Sequence, residues 1–505
     1  MEKQLPKNWV DCKLGELATV QSGGTPSRGI NSYWNGDIPW VKISDIKEMY
    51  VDKTTEFITE EGLKNSSTRI FPKGTILFTI FATLGKIGIL NIDAATNQAI
   101  AGITPSKFIN DKYLTYSLIN LSNSISENGK GVAQKNINQA ILKDTIIPLP
   151  PLPEQNRIVE KLDNMFNQLE TIKVSMANIP LLIKDFRQQV LTQAVTGKLT
   201  EEWRKGKELE SGYELLKKIK DKRLEMYDNL SIEAIKNGKR KPKKPILEIV
   251  DNNKRNFIIP DNWIYCTIGD IGDVSNGSTP SRPISEYWNG NIPWISSGLV
   301  RNNRITDSVE HLTELGFENS SVRLLPKGSI LLAMIGEGKT RGQSSILDID
   351  ATINQNIAGI SLEHGLVISE YLQNWLFVNY ENNRQMGNGT GPQALNCQKV
   401  RELPFVLPSY QEQQEIVRRV ESLFAKADAI EQQYKTLKEK INTLPKALLH
   451  KAFKGELSEQ LESDGDAMEL LKEIEVLKNV KVTKAEHKKY KVPKEKLRLV
   501  AEPKN

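Results

Sequence analysis

The octapeptide AMIGEGKT at 333–340 has the spacing of a phosphate-binding loop: a small residue, four more, then Gly-Lys-Thr. In such a loop backbone amides cradle the phosphates, the lysine reaches them and the hydroxyl meets magnesium. The chemistry also needs a helix to begin there, because its N-terminal amides hold the phosphate. The residues that follow, RGQSSILDID, read instead as turn and strand, and the related FATLGKIGIL at 81–90 puts Ile87 where the hydroxyl belongs. Both segments are expected to be β-hairpin turns, whose Lys86, Lys339 and Arg341 can reach an anionic partner. Metal and thiol chemistry fare no better. His311, His364, His450 and His487 have no ligand spacing, and Cys12, Cys266 and Cys397 form no C-x-x-C pair. The Asn/Asp-Pro-Pro-aromatic tetrad with which adenine methyltransferases grip an extruded base is missing from the sequence. GNGTGPQ (387–393) and NGKGVAQ (128–134) read as polar loops rather than cofactor cradles. No catalytic residue, metal ligand or cofactor is expected for this chain.

What the sequence does repeat is itself. TPSRGINSYWNG at 25–36 returns as TPSRPISEYWNG at 279–290. The flanks return too: DIPW as NIPW, NSSTRIFPKGTILF (65–78) as NSSVRLLPKGSILL (319–332), and TNQAIAGI (96–103) as INQNIAGI (353–360). LPPLPEQNRIV (149–159) returns as LPSYQEQQEIV (407–417), TGKL (196–199) as KGEL (454–457), and YELLKKI (213–219) as MELLKEI (468–474). A whole unit is duplicated, in contrast to the short periods of a solenoid.

Each unit has two parts. The first mixes short apolar runs, such as GTILFTIFA (74–82) and GSILLAMIG (328–336), with Asn-Gly, Pro-Lys-Gly and Gly-Lys turn signals. The second carries heptads. Ile158, Met165, Ile172, Ile179 and Phe186 alternate with Leu162, Leu169, Met176, Ile183 and Val190. Ile416, Leu423, Ile430, Leu437 and Leu444 alternate with Val420, Ala427, Tyr434, Ile441 and Leu448. Pro180 and Pro445 are expected to kink these helices. The fold class is therefore α+β: a tandem-duplicated unit, each a mixed α/β domain followed by a long helix. The two helices are expected to form an antiparallel coiled coil with pseudo-two-fold symmetry. The expected divisions are 1–150 and 258–408 for the domains, 151–200 and 409–458 for the helices, 201–257 for a basic connector and 459–505 for a helical, basic tail. A two-fold arrangement puts inverted heads on one chain, which matches the two-fold symmetry of duplex DNA. Residues Leu199 to Lys207 would then set the spacing between heads.

The net charge of +6 is mild, but KNGKRKPKKP (236–245) and KAEHKKYKVPKEKLR (484–498) are strongly basic, and solvated linker or phosphate contact are both open for them. No apolar run is long enough to span a bilayer, and the start MEKQLPKNWVDCKLGE has no secretory apolar core. With so few cysteines, a reducing, cytoplasmic home is expected.

On GGTPSR…YWNGDIPW and GSTPSR…YWNGNIPW, PKGTIL and PKGSIL, NQAIAGI and NQNIAGI, LPPLPEQNRIV, and AVTGKLTEEWR (194–204), the chain resembles the specificity subunits of type I restriction–modification systems. The resemblance spans essentially the whole length; the second copy departs only in reading LPSYQEQ at 407–413. It implies two target-recognition domains, each reading half of a bipartite site on double-stranded DNA. It implies helices that space them and dock two modification subunits, which bind S-adenosylmethionine and methylate adenine. Two ATP-dependent restriction subunits, with their magnesium, would complete the complex. The chain would be non-catalytic, with no bound cofactor. The alternative is a coiled-coil adaptor whose two similar domains grip something other than DNA.

Arg28 and Arg282, in polar turns, can pair with phosphate or guanine or else brace the loop. Tyr33, Trp34, Trp40 and their copies Tyr287, Trp288 and Trp294 are expected to pin loops to a core. Identity between copies argues for scaffold, since half-site readers differ when half-sites do. The divergent stretches are the better readers: Lys42 and Ser44 against Ser296, Ser297 and Arg301, and Gln134, Lys135 and Asn136 against Gln393 and Asn396. The amides suit adenine's N6/N7 edge. Ile158, Leu162, Met165, Leu169, Ile172, Ile416, Val420, Leu423, Ile430 and Leu437 mark the helices expected to space the heads and dock partners.

Overall fold

The computed structural model describes residues 5–81, 83–128, 137–238, 240–242, 244, 257–301, 303–336, 339–362, 365–385 and 394–477. The chain forms two compact units, Met1–Met176 with Thr436–Asn505, and Ala177–Lys435.

In the first unit the apolar runs become a five-stranded sheet ordered Ala18–Ser22, Ile100–Pro105, Ile76–Thr79, Ile87–Leu90, Tyr50–Val51. Ile76–Thr79 is buried at every residue, as a strand covered on both faces must be. The expected hairpin is there: Ile76–Thr79 pairs antiparallel with Ile87–Leu90, and Gly85 turns it at φ +76°. A second sheet runs Glu56–Ile58, Trp34–Val41, Ala94–Thr96, Ile70–Phe71, and Val10–Lys13 pairs with Ile146–Leu149.

The second unit repeats this plan. Its five-stranded sheet is Gly272–Asn276, Ile357–Leu362, Ile330–Ala333, Ser344–Leu347, Arg304–Ile305. Its second sheet has three strands, Glu310–Leu312, Trp288–Ile295 and Thr352–Ile353, because the fourth position is reduced to a single bridge, Leu325 to Ala351. The phosphate-loop-like segment sits between the antiparallel strands Ile330–Ala333 and Ser344–Leu347, so the element after it is a strand, not a helix.

One turn expectation is corrected. Asn35-Gly36 and Asn289-Gly290 lie inside the strands Trp34–Val41 and Trp288–Ile295, as bulges rather than chain reversals. Asn35 and Asn289 take φ +62° and +66°, a conformation asparagine tolerates. A Cβ on Gly36 would lie 2.6 Å from the Ile58 carbonyl oxygen, so only glycine lets the strands close there.

The heptads are helical, with a difference between copies. The first run is two helices, Leu152–Met176 and Ile179–Val195, and Pro180 stands in the first turn of the second, where a missing N–H costs nothing. The other run is one 43-residue helix, Tyr410–Ala452, about 65 Å long, and it continues through Pro445. In the first unit Ile158, Val159 and Leu162 pack on Leu449, Ala452 and Phe453, while Lys161 reaches the Leu457 carbonyl. In the second, Val190 and Leu191 pack on Ile416 and Val420, and Arg187 pairs with Asp428 and Glu431. In the second unit Arg187 meets Asp428 and Glu431, Leu199 meets Arg419 and Thr200 meets Glu412, so contacts ascend one segment as they descend the other and the pairing there is antiparallel. A further helix, Gly212–Lys236, begins where YELLKKI marks it, with Ser211 as a capping box.

Candidate nucleic-acid interface

The repeated words TPSR, YW and IPW assemble one frame in each unit. In the first, the Arg28 guanidinium lies 3.7 Å from the Trp34 ring centre and 5.0 Å from that of Trp40, and meets Glu56 at 2.6 Å. The two indoles meet edge to face at 5.1 Å and donate to the Ser27 and Gly24 carbonyls. In the second unit Arg282 stacks on Trp288 and Trp294 at 4.0 and 4.9 Å and grips Glu310 with both nitrogens. Trp288 and Trp294 donate to the Ser281 and Ser278 carbonyls. The arginines hold Glu56 and Glu310 below the ordinary carboxylate range, Lys42 contributing most at Glu56. The frame is a polar turn clamped to a strand, and both arginines are engaged in it.

The loops beside the frame differ. In the first unit Lys42 bonds Glu56 at 2.6 Å, and Asp45 accepts from the Lys42 amide and from the Thr54 and Thr55 hydroxyls. Ser44 is exposed. At the matching place the second unit has Ser296, Ser297 and Arg301, whose side chains have no partner among the described residues. Lys86 is half-buried with Nζ 3.5 Å from the Ile43 carbonyl, and Lys339 is exposed. Arg341 is 6% exposed, so its side chain lies inside the second unit. Asn396 caps the helix Cys397–Arg401 by accepting from the Lys399 amide. Gln134, Lys135, Asn136, Gln393 and the basic run 484–498 lie outside the described residues.

The helices bury most of their apolar stripes and expose part of them. Ile158, Leu162, Leu169, Ile416 and Val420 are buried, and Met165 and Leu423 half-buried. Ile172, Phe186, Ile430, Leu437 and Leu444 are 39% to 51% exposed.

A structural device escaped the sequence reading. Glu154 is fully buried and accepts from the Trp9 indole at 2.8 Å, the Ser458 hydroxyl at 2.8 Å and the Gln460 amide at 3.0 Å. Glu412 is its counterpart, accepting from the Trp263 indole at 2.9 Å and the Thr200 hydroxyl at 2.7 Å, and pairing with Arg204. Gln155 and Gln413 beside them accept from the Asn110 and Ile368 amides. The departure LPSYQEQ thus spares the two residues that matter. Each carboxylate ties a domain's first strand to its helix start and to a TGKL or KGEL tail. The tails turn at Gly197 and Gly455, both near φ +75°, with Pro260 and Pro6 too close to admit a Cβ. The clue was the identity of Asn-Trp and Glu-Gln in both copies, which marks scaffold. Residues Leu199 to Lys207 are held in this lock through Thr200, Arg204 and the Leu199 carbonyl, which accepts from Arg419.

Among the described residues no helix is long and apolar enough to cross a membrane, and no His/Cys/Asp/Glu group could hold a metal. Cys12 and Cys266 are buried thiols, the first pushed up to about 12 by burial, and so unreactive.

Residues 6–179 and 260–439 each match the family model described as type I restriction modification DNA specificity domain. Over 465 residues, 90% of this chain and 87% of the relative, the sequence is 28% identical to the specificity subunit of the type I restriction enzyme EcoBI of Escherichia coli. It is 26% identical over 364 residues to the MjaIX specificity subunit of Methanocaldococcus jannaschii, covering 71% of this chain and 73% of that one. Among solved structures it is similar to the HsdS subunit from Thermoanaerobacter tengcongensis, with a TM-score of 0.62, 15% identity, and coverage of 90% of this chain and 99% of that chain.

Proposed function

The chain belongs to the type I restriction modification DNA specificity family, and from that premise we propose that it is the DNA-recognition subunit of a type I restriction–modification complex. Each unit carries one reading head, and the two heads together address a bipartite, asymmetric site on duplex DNA. The observation that carries this reading is the pair of matched frames, Arg28–Trp34–Trp40–Glu56 and Arg282–Trp288–Trp294–Glu310, beside loops of different chemistry. Scaffold is kept and the reading surface is varied, as two different half-sites require. The arginines position, and the divergent loops with Ser44, Lys86, Ser296, Ser297, Arg301 and Lys339 face the duplex. The chain supplies the address. Methylation, with S-adenosylmethionine, and cleavage, with ATP and magnesium, belong to two modification and two restriction subunits. The exposed stripe of Ile172, Phe186, Ile430, Leu437 and Leu444 supports docking of those partners, and work on genomic DNA makes the complex cytoplasmic.

The test is to express the chain with its modification subunits and map methylated adenines in the host genome. A bipartite motif that vanishes when the chain is left out is the expected result. A complex that forms yet binds all duplexes equally, or not at all, overturns the reading in favour of an adaptor.

A further inference from the structure

At Lys42 the first head has a side chain that ties the loop to Glu56 at 2.6 Å. The second head has Ser296 there, and Leu299 where Asp45 pins the first loop. A cleft of about 340 Å³ opens at this place, walled by Trp294, Leu299 and Val309 and edged by Ser296, Arg301 and Glu310. Glu310 already receives both nitrogens of Arg282 and is held below the ordinary carboxylate range. It is therefore ionised at neutral pH and paired with Arg282, without engaging Arg301. Arg301 and Ser296 line the cleft with side chains that have no partner among the described residues. Val309 is 85% exposed at the rim. A floor of indole, apolar walls and an unengaged planar donor pair make a place for the edge of a nucleobase rather than for a phosphate. A phosphate would sit beside the Glu310 carboxylate and apolar walls. Guanidinium matches guanine, whose O6 and N7 are two adjacent acceptors.

We propose that this cleft is the base-reading pocket of the second head, with Arg301 reading a guanine edge in the major groove. Lys42 occupies the equivalent place in the first head, so the two heads read by different means. The inference rests on the DNA-recognition reading above, and goes beyond it in naming the pocket, the residue and the base.

The complex of this chain with its modification subunits is titrated with duplexes carrying each base at each position of the mapped site. Arg301→Ala is expected to cost about 10- to 100-fold in discrimination at one guanine of one half-site, leaving the other half unchanged. Arg301→Gln is expected to move the preference at that position toward adenine. Ser296→Lys, which restores the first head's lysine opposite Glu310, is expected to close the cleft and abolish discrimination at the same position. Uniform weakening on all sequences makes Arg301 a phosphate contact and overturns the proposal. Unchanged preferences in both Arg301→Ala and Ser296→Lys overturn it as well. Failure of the wild-type complex to discriminate any sequence instead condemns the DNA-recognition reading, so the two failures are distinguishable. Arg301 and Ser296 lie on the surface, and thermal unfolding of each variant checks that the head is intact.

Discussion

In the first unit the buried carboxylate Glu154 meets three neutral donors, Trp9, Ser458 and Gln460. In the second, its counterpart Glu412 meets Trp263, Thr200 and the guanidinium of Arg204. The first unit places its arginine one helical turn along: Arg157 grips Asp464 with two bonds of 2.6 and 2.7 Å and donates to the Glu459 carbonyl. Lys161 there reaches the Leu457 carbonyl, as Arg419 reaches that of Leu199 in the second unit. The architecture needs the tail sealed to the helix start. The charges that do the sealing have drifted freely between copies, because a buried carboxylate is satisfied by any set of good donors.

That contrast predicts the largest effect. Glu412→Gln turns an amide N–H toward Arg204, whose side chain is only 18% exposed, and leaves that cation without its carboxylate. Breaking such a buried pair costs about 2–4 kcal/mol, discounted slightly for Arg204's exposure. Glu154→Gln keeps an acceptor for Trp9, and the Ser458 hydroxyl can rotate to accept, so the cost is about 1 kcal/mol. Hydrogen exchange at Ile264–Thr267 for the first variant and at Val10–Lys13 for the second reads each unit separately. Equal losses would erase the distinction between the locks.

The two stripes of the helices sharpen a second contrast, between a face that holds the fold and a face left open. Ile430→Glu, at a residue 51% exposed, is expected to change stability by less than about 1 kcal/mol. It is expected to strip modification subunits from the complex in size-exclusion chromatography. Leu162→Ala, at a fully buried position, should instead cost about 2–4 kcal/mol through the cavity it leaves. Co-purification of Ile430→Glu at full stoichiometry would remove the open face from the docking surface.

The frames break the symmetry more gently. Arg282→Ala leaves Glu310 with no cation, whereas Arg28→Ala leaves Glu56 with Lys42 still at 2.6 Å. With both arginines about half exposed, the first should cost about 1–2 kcal/mol and the second about half that, mostly lost stacking. Methylation mapping supplies the second readout. A brace lowers occupancy of one half-site without changing its letters, so altered letters in Arg28→Ala would make that arginine a reader.

Much of this was legible in the sequence, and the limits have physical causes. The duplication, the paired heptads and the hairpin at Gly85-Lys86 are local patterns, and they fold as read. Asn35-Gly36 was misread as a turn because bulge and turn both need a left-handed residue, and only the partner strand Glu56–Ile58 decides between them. The break at Ala177-Asn178 follows from Pro180, yet Pro445 breaks nothing, and the buried Ile441 and Leu449 hold the helix on either side of it. Ser296 and Arg301 could be named but not joined to a cleft, because Val309 and Glu310 reach it from another strand. The Glu-Gln kept in both copies was the one signal for Glu154 and Glu412, and it names no partner. Their partners Ser458 and Thr200 lie far away in sequence, and nothing local in PEQ or QEQ announces a buried carboxylate.

The smallest effect is the response to acid, and its sign is fixed by the direction of the shifts. Glu56, Glu310, Asp464 and Glu415 all lie below their ordinary range, each chiefly through a hydrogen bond from a neighbouring lysine or arginine. A carboxylate depressed in the folded state contributes stability above its unfolded value, near 4.5 for glutamate, and loses it as pH falls through the folded value. For Glu415, lowered to about 2 by Arg418 and then Arg419, that window runs from about 4.5 down to about 2. The stability that these four carboxylates contribute should therefore be constant at neutral pH and fall only in acid. Glu415→Gln tests the assignment. Its pairs are helix-surface pairs at i,i+3 and i,i+4, though Glu415 itself is mostly covered, so the loss at pH 7 should be about 0.5–1 kcal/mol. The difference between variant and parent should shrink below pH 4.5 and be mostly lost by about pH 2, as the parent's side chain becomes protonated in the folded state too. The first unit has Arg157 at the matching position and should show its own acid loss through Asp464 instead. A difference that persists undiminished at pH 2 would show that Glu415 acts through packing rather than charge.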